Sequence, residues 1–309
     1  MAAVTVGVSL KAYFGRRQAR EWFEQVATVV GAHPAVQSGA VTAFVVPTYL
    51  QLADAAAALA GTPVRIGAQD VSAYPAGAYT GEITAAELAE SHVTLAEIGH
   101  AERRRLFGET DADVAAKAAA ALTHGITPVL CLGESDRQDA GAAASATVAQ
   151  LHADLAGAPA GPVVVAYEPV WAIGAPEPAP ADHIRVVTRA LRAALDADPL
   201  RAGSAVIYGG SAGPGLLTRL GDDVDGLFLG RFAHDPAAFA AVIDEAAALA
   251  SRAVSSRRCA PRSTTEDAHP PVIERAQRDE TRLTSDEAHP PVVERAQRDE
   301  TPRPAGSAS

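Results

Sequence analysis

Three side chains able to move a proton beside a carbonyl each follow a short apolar, β-branched run: Lys11, His100 and Glu168. A carboxylate can take a carbon-bound proton, an imidazole can polarise or protonate the oxygen, and an ammonium can stabilise the developing negative charge. Gln69 and two Gly-containing turns, Gly209-Gly210-Ser211 and Gly230, hold the same kind of position. Such turns present backbone N–H groups to a phosphate. The set suits proton transfer next to the carbonyl of a phosphorylated substrate. Taken singly, each residue also has an ordinary reading: a surface lysine, a structural histidine, a carboxylate at a loop entrance. Lysine is rare, however, with only Lys11 and Lys117 against 24 arginines. Keeping Lys after the first apolar run suggests a need for a compact point charge. Glu168 leads into Pro169-Val-Trp-Ala-Ile-Gly174 and then a Pro-rich stretch, a loop that reads as a lid or as plain connection.

The elements that must position these residues alternate along the first 250 positions. Strand candidates are 4–8, 41–46, 64–67, 95–98, 127–132, 163–167, 205–208 and 226–229. Ala-rich segments with helical spacing lie between most of them, among them 16–30, 111–122, 181–195 and 235–250. Eight strands, each followed by a helix, in about 250 residues match a (β/α)8 barrel, whose active sites gather at the C-terminal ends of the strands. A doubly wound sheet usually shows Gly-x-Gly-x-x-Gly after its first strand. Here Ser9-Leu10-Lys11 follows instead, which favours the barrel.

Composition bounds the rest. The chain has 309 residues, 48% of them hydrophobic, and a formal net charge of −11. That is ample for a packed core, and an acidic balance speaks against a nucleic-acid partner, which needs a basic face. Cys131 and Cys259 are too few and too far apart for a disulfide framework or a zinc site. No membrane helix, secretory leader, metal site or organic cofactor is expected, and the expected location is the cytoplasm. Residues 251–309 form a second region, whose ten basic and ten acidic side chains cancel. Within it, Ala268–Thr281 recurs twenty residues later as Ala288–Thr301, differing only at Ile273 and Val293. Two copies are too few for a solenoid. The expectation is a barrel over 1–250 and a disordered tail over 251–309, with short helices possible at 271–280 and 291–300.

The motifs together resemble the triosephosphate isomerase family over about residues 4–248, in the right order. Glu97-Ile-Gly-His-Ala-Glu-Arg-Arg-Arg-Leu-Phe-Gly-Glu-Thr110 is similar to its histidine segment. Tyr167-Glu-Pro-Val-Trp-Ala-Ile-Gly174 is similar to its glutamate segment and lid hinge. Tyr208-Gly-Gly-Ser211 and Asp225-Gly-Leu-Phe-Leu-Gly230 resemble its phosphate turns, and Gly77-Ala-Tyr-Thr-Gly-Glu82 its intersubunit loop. The resemblance implies a TIM barrel and a cofactor-independent isomerase of a phosphorylated sugar. It makes Glu168 the shuttling base, His100 the electrophile and Lys11 the cation near phosphate and enediolate. Glu102 positions the site, and Gly174, Gly209, Gly210, Ser211 and Gly230 serve the phosphate. It also implies a homodimer in which Tyr79 and Thr80 reach the partner's site.

Four positions depart from that family: Ser9 for an Asn, Ala101 for a Ser, Gly230-Arg231-Phe232 for a Gly-Gly turn, and Gly174-Ala-Pro-Glu-Pro178 in the lid. Ser9 and Arg231 thereby become candidate substrate contacts. The departures fit an ordinary triosephosphate isomerase that has drifted. They also resemble a branch that converts L-erythrulose 1-phosphate to D-erythrulose 4-phosphate. A non-catalytic phosphate-binding barrel is a further alternative.

Overall fold

The computed structural model describes residues 3–258. Eight parallel strands close into a barrel in chain order: β1 Val4–Ser9, β2 Val41–Val46, β3 Arg65–Ala68, β4 Leu95–Ile98, β5 Thr127–Leu132, β6 Val164–Tyr167, β7 Ala205–Tyr208 and β8 Gly226–Leu229. The ring is sealed by β1 against β8, where Thr5 pairs with Gly226 and Val8 with Leu229. Both faces of each strand are covered, so the strands read as nearly continuous apolar runs.

Alternation sorts those runs into two cores. Outward residues such as Val6, Val8, Ala96 and Ile98 pack under the helices. Inward residues fill the lumen, where Phe44, Leu95, Val129, Val164, Ile207 and Phe228 cluster with Cys131. Gly7 faces Phe44 across the β1–β2 ladder, and a Cβ on it would collide with the Phe44 ring. Phe44 needs that gap, because interiors pack at crystal-like density. The lumen is a solid plug, and the chemistry must sit on top of it.

The helices form the outer layer by the usual amphipathic rule. In Ala181–Ala197, Ile184, Val187, Thr188, Leu191 and Leu195 make the buried stripe, and the helix stops before Pro199. Differences from the sequence expectation are local. The first helix is α-helical only over Arg16–Val26 and then widens into a π-helical turn, Ala27–Gly31. The last helix, Pro236–Arg258, runs past the composition change at residue 250. The tail was expected to be disordered from residue 251, but its first residues, to Arg258, continue this helix. The rest of the tail, with Cys259, the repeat and the short helices expected at 271–280 and 291–300, lies outside the described residues. Among the described residues, no helix is long and apolar enough to cross a membrane.

Candidate active site

A pocket of about 750 Å3 opens at the C-terminal mouth of the barrel, lined by Lys11, His100, Glu102 and Glu168 together with Ser9 and Glu97. One side of the mouth is a chain of polar contacts between the ends of β1 and β4. Lys11 Nζ donates to Glu102 Oε1 at 2.7 Å and lies 3.2 Å from His100 Nε2. Lys11 adopts a left-handed backbone, φ 46°, which a β-carbon disfavours. Gln69 holds it there, its amide donating to the Lys11 carbonyl at 2.9 Å and the Val46 carbonyl at 3.1 Å. Burial works against the Lys11 ammonium, but Glu102 and Glu168 outweigh it and raise the pKa. The charge is secure.

His100 caps the helix Ala101–Phe107, and its Nδ1 accepts the Glu102 backbone N–H at 3.1 Å. That bond occupies Nδ1, so the ring proton resides on Nε2. Burial disfavours the imidazolium, yet the facing Glu168 carboxylate, aided by Glu97, holds the His100 pKa above its ordinary value. Nε2–H and the Lys11 ammonium are thus two donors 3.2 Å apart. Neither can accept from the other, so a third atom, an oxygen, is what the pair is built to meet.

Glu168 stands at the end of β6, almost fully buried. Its Oε2 lies 3.3 Å from His100 Nε2 but outside hydrogen-bond geometry, and this buried oxygen has no hydrogen-bond partner among the described residues. A buried carboxylate oxygen left free is costly in a folded protein and is the expected state of a waiting base. Gly209 makes room for it, since a Cβ there would collide with Glu168 Oε1.

The other side of the mouth is backbone. Gly174, at φ 71°, borders the pocket together with Ser211 and Gly230. The Ser211 hydroxyl sits 2.9 Å from both the Ala172 and Ala175 carbonyls. It has one proton, so it serves them alternately. Tyr208 OH accepts the Ala179 N–H at 3.0 Å. These contacts pin the segment after Glu168 over the pocket. At its base, Glu134 accepts from Trp171 Nε1 at 2.8 Å and Tyr167 OH at 3.1 Å, with His183 Nε2 3.0 Å away.

Gly210 does not border the pocket and packs against Tyr208 and Pro169 instead. Arg231 borders it at the lid side, exposed, its side chain making no hydrogen bond or ion pair with another described residue. Ala101 borders it also. Sequence reasoning passed over three participants: Tyr208 as a lid anchor, the Glu134–His183 base, and Glu97. Of these, Glu97 left a trace, as the lone carboxylate in the short run Leu95-Ala-Glu-Ile98, at the parity of inward-facing Leu95.

The triosephosphate isomerase family profile matches residues 4–246. Over 257 residues the chain is 49% identical to the L-erythrulose-1-phosphate isomerase of Pectobacterium atrosepticum, covering 81% of this chain and 98% of that one. It is 44% identical over 207 residues to the triosephosphate isomerase of Mycobacteroides abscessus, covering 63% and 79%. A third relative, the L-erythrulose-1-phosphate isomerase of Rhizobium etli, is 41% identical over 198 residues, covering 62% and 74%.

Proposed function

The chain belongs to the triosephosphate isomerase family, and from that premise we propose that this isomerase converts L-erythrulose 1-phosphate to D-erythrulose 4-phosphate through an enediolate. The observation that carries the choice of substrate is the 49% match that spans 98% of a relative bearing that name. In the proposed reaction Glu168 removes the proton on C3, next to the C2 carbonyl. Charge spreads over both oxygens, where the Lys11 ammonium and His100 Nε2–H meet it. Glu168 then returns the proton to C2 while His100 passes a proton between the two oxygens. The carbonyl ends on C3, which becomes C2 when the product is numbered from its other end. Atoms balance, and no electron leaves the substrate.

The phosphate is assigned to the backbone N–H groups at Gly174, Ser211 and Gly230, with Gly209 shaping the turn and Arg231 reaching in from the rim. A second reading, interconversion of dihydroxyacetone phosphate and glyceraldehyde 3-phosphate, is favoured by the similarity to triosephosphate isomerases at 40–45% identity. Side-by-side kcat/KM values for L-erythrulose 1-phosphate and dihydroxyacetone phosphate decide. A ratio above ten for the tetrulose supports the first reading, and a ratio below one-tenth supports the second.

We also assign a homodimer, formed around the loop Gly77–Glu82. Tyr79 stacks on Tyr74 with ring centroids 4.4 Å apart, and both are exposed beside the barrel, as are Tyr13 and Phe107. Exposed aromatics in that number are typical of an interface. Sedimentation showing an active monomer at micromolar concentration would remove this assignment. The charged sugar phosphates and the shared chemistry support a cytoplasmic enzyme.

A further inference from the structure

We propose that Glu97, with Ser9, forms the seat for the terminal hydroxymethyl group of a tetrulose phosphate and sets the preference for that substrate over a triose phosphate. This rests on the tetrulose reading above.

Glu97 is 4% exposed and yet borders the catalytic pocket. It faces the lumen at the parity of Leu95, directly above the apolar plug. Ser9 Oγ donates to its Oε2 at 2.7 Å. β1 and β4 are not neighbours in the barrel, so this bond crosses the lumen and lays a polar floor under the pocket. Glu97 Oε1 takes no hydrogen bond from a described residue. One neutral hydroxyl is thin compensation for a carboxylate in such a place, which normally needs several donors. Burial accordingly pushes the Glu97 pKa up. The nearest ammonium, Lys11, is engaged by Glu102, and the His100 ring faces Glu168. Glu97 has acceptor capacity to spare, turned toward the substrate's space.

The shape of the substrate says what would use it. In L-erythrulose 1-phosphate the phosphate is on C1, the reacting carbons are C2 and C3, and C4 is a hydroxymethyl group. C4 is therefore the carbon farthest from the phosphate, and a triose phosphate lacks it. With the phosphate against the turns after β6, β7 and β8, and C2–C3 over Glu168 and His100, C4 points toward β4. That strand stands opposite β8 in the ring. The C4 hydroxyl then donates to Glu97, and the short Ser9 side chain leaves room for the carbon. A triose phosphate leaves the acceptor unmet, and sites built to bind a hydroxyl discriminate strongly against substrates without one.

The test is kcat/KM for L-erythrulose 1-phosphate and dihydroxyacetone phosphate in the full-length protein and its variants. In Glu97→Val the tetrulose-to-triose ratio should fall about 100-fold. In Glu97→Gln, which keeps one oxygen acceptor and the original shape, it should fall less, about tenfold. Ser9→Asn leaves Glu97 in place but fills the space for C4, and should lower the ratio at least tenfold by raising KM for the tetrulose. If the wild type favours the triose phosphate, the substrate reading fails and this inference falls with it. If the wild type favours the tetrulose and the ratio holds in Glu97→Gln and Ser9→Asn, this inference alone is overturned. Equal losses for both substrates would likewise overturn it and leave Glu97 as a support for His100. Should Glu97→Val not fold, the other two variants carry the decision.

Discussion

The two sides of the barrel mouth are built on different principles. On the β1–β4 side, each ionisable side chain has a polar partner: Lys11 on Glu102, Glu97 on Ser9, and His100 on a backbone N–H at the start of its own helix. On the β6–β8 side the charged residues that line the pocket are Glu168, whose Oε2 has no hydrogen-bond partner among the described residues, and the exposed Arg231. What holds that side is turn geometry and a pinned lid. Charge networks fix positions because each member is costly to leave unpaired, whereas a lid fixed by a carboxylate only at its base, through Glu134, and by neutral hydrogen bonds beyond it can open. The division suits an enzyme that must keep its electrostatics constant while substrate enters and leaves.

Breaking the comparison at its most charged point should have the largest effect. Glu168→Gln removes the base and should lower kcat by about 10^3- to 10^5-fold with ligand binding largely kept, as steady-state kinetics would show. The same change tests the electrostatics. The Glu168 carboxylate raises the His100 pKa, so in Glu168→Gln the imidazole should titrate lower, followed by NMR. The sign for stability follows: a raised histidine pKa stabilises the fold below its unfolded value of about 6.5, and that gain fades as pH climbs through the folded value. The variant should therefore lose stability relative to wild type at acid pH and lose little at alkaline pH.

Next in size is Gly209→Ala, in which the new methyl displaces Glu168 from its place. A misplacement of about 1 Å at a reacting group costs on the order of 100-fold in kcat. A variant with normal turnover would show that Glu168 moves before it reacts. Tyr208→Phe attacks the lid instead, leaving the Ala179 N–H without its acceptor. A loss of about 1–3 kcal/mol in lid closure corresponds to about 5- to 150-fold in kcat/KM, with thermal stability nearly unchanged. Arg231→Lys keeps the charge but loses the planar fork, and for an exposed rim group the expected loss is about three- to tenfold. Its smallness relative to Glu168→Gln is itself a prediction of the asymmetry.

How much of this was legible beforehand depends on how local each signal is. The strand ranges 41–46, 95–98, 127–132, 205–208 and 226–229 coincide with the folded strands, because a short, mostly apolar run bounded by turns reports its own conformation. The π-helical turn at Ala27–Gly31 was not legible, since the same apolar spacing serves an α-helix equally well. Lys11, His100 and Glu168 were legible for a related reason: each stands one or two residues past a strand, and the barrel carries every such position to one face.

The sequence by itself determined the eight-fold alternation, the order of the chemistry along the chain and the proton-transfer character of the trio. Tertiary structure alone decided that Ser9 meets Glu97 across the lumen, that Gly209 yields its space to Glu168, and that Tyr208 holds the lid at Ala179. Each of these joins positions 29 to 88 residues apart, the Gly209–Glu168 contact among them. Alternation tells which way a side chain points. Only closure of the barrel decides what it then faces.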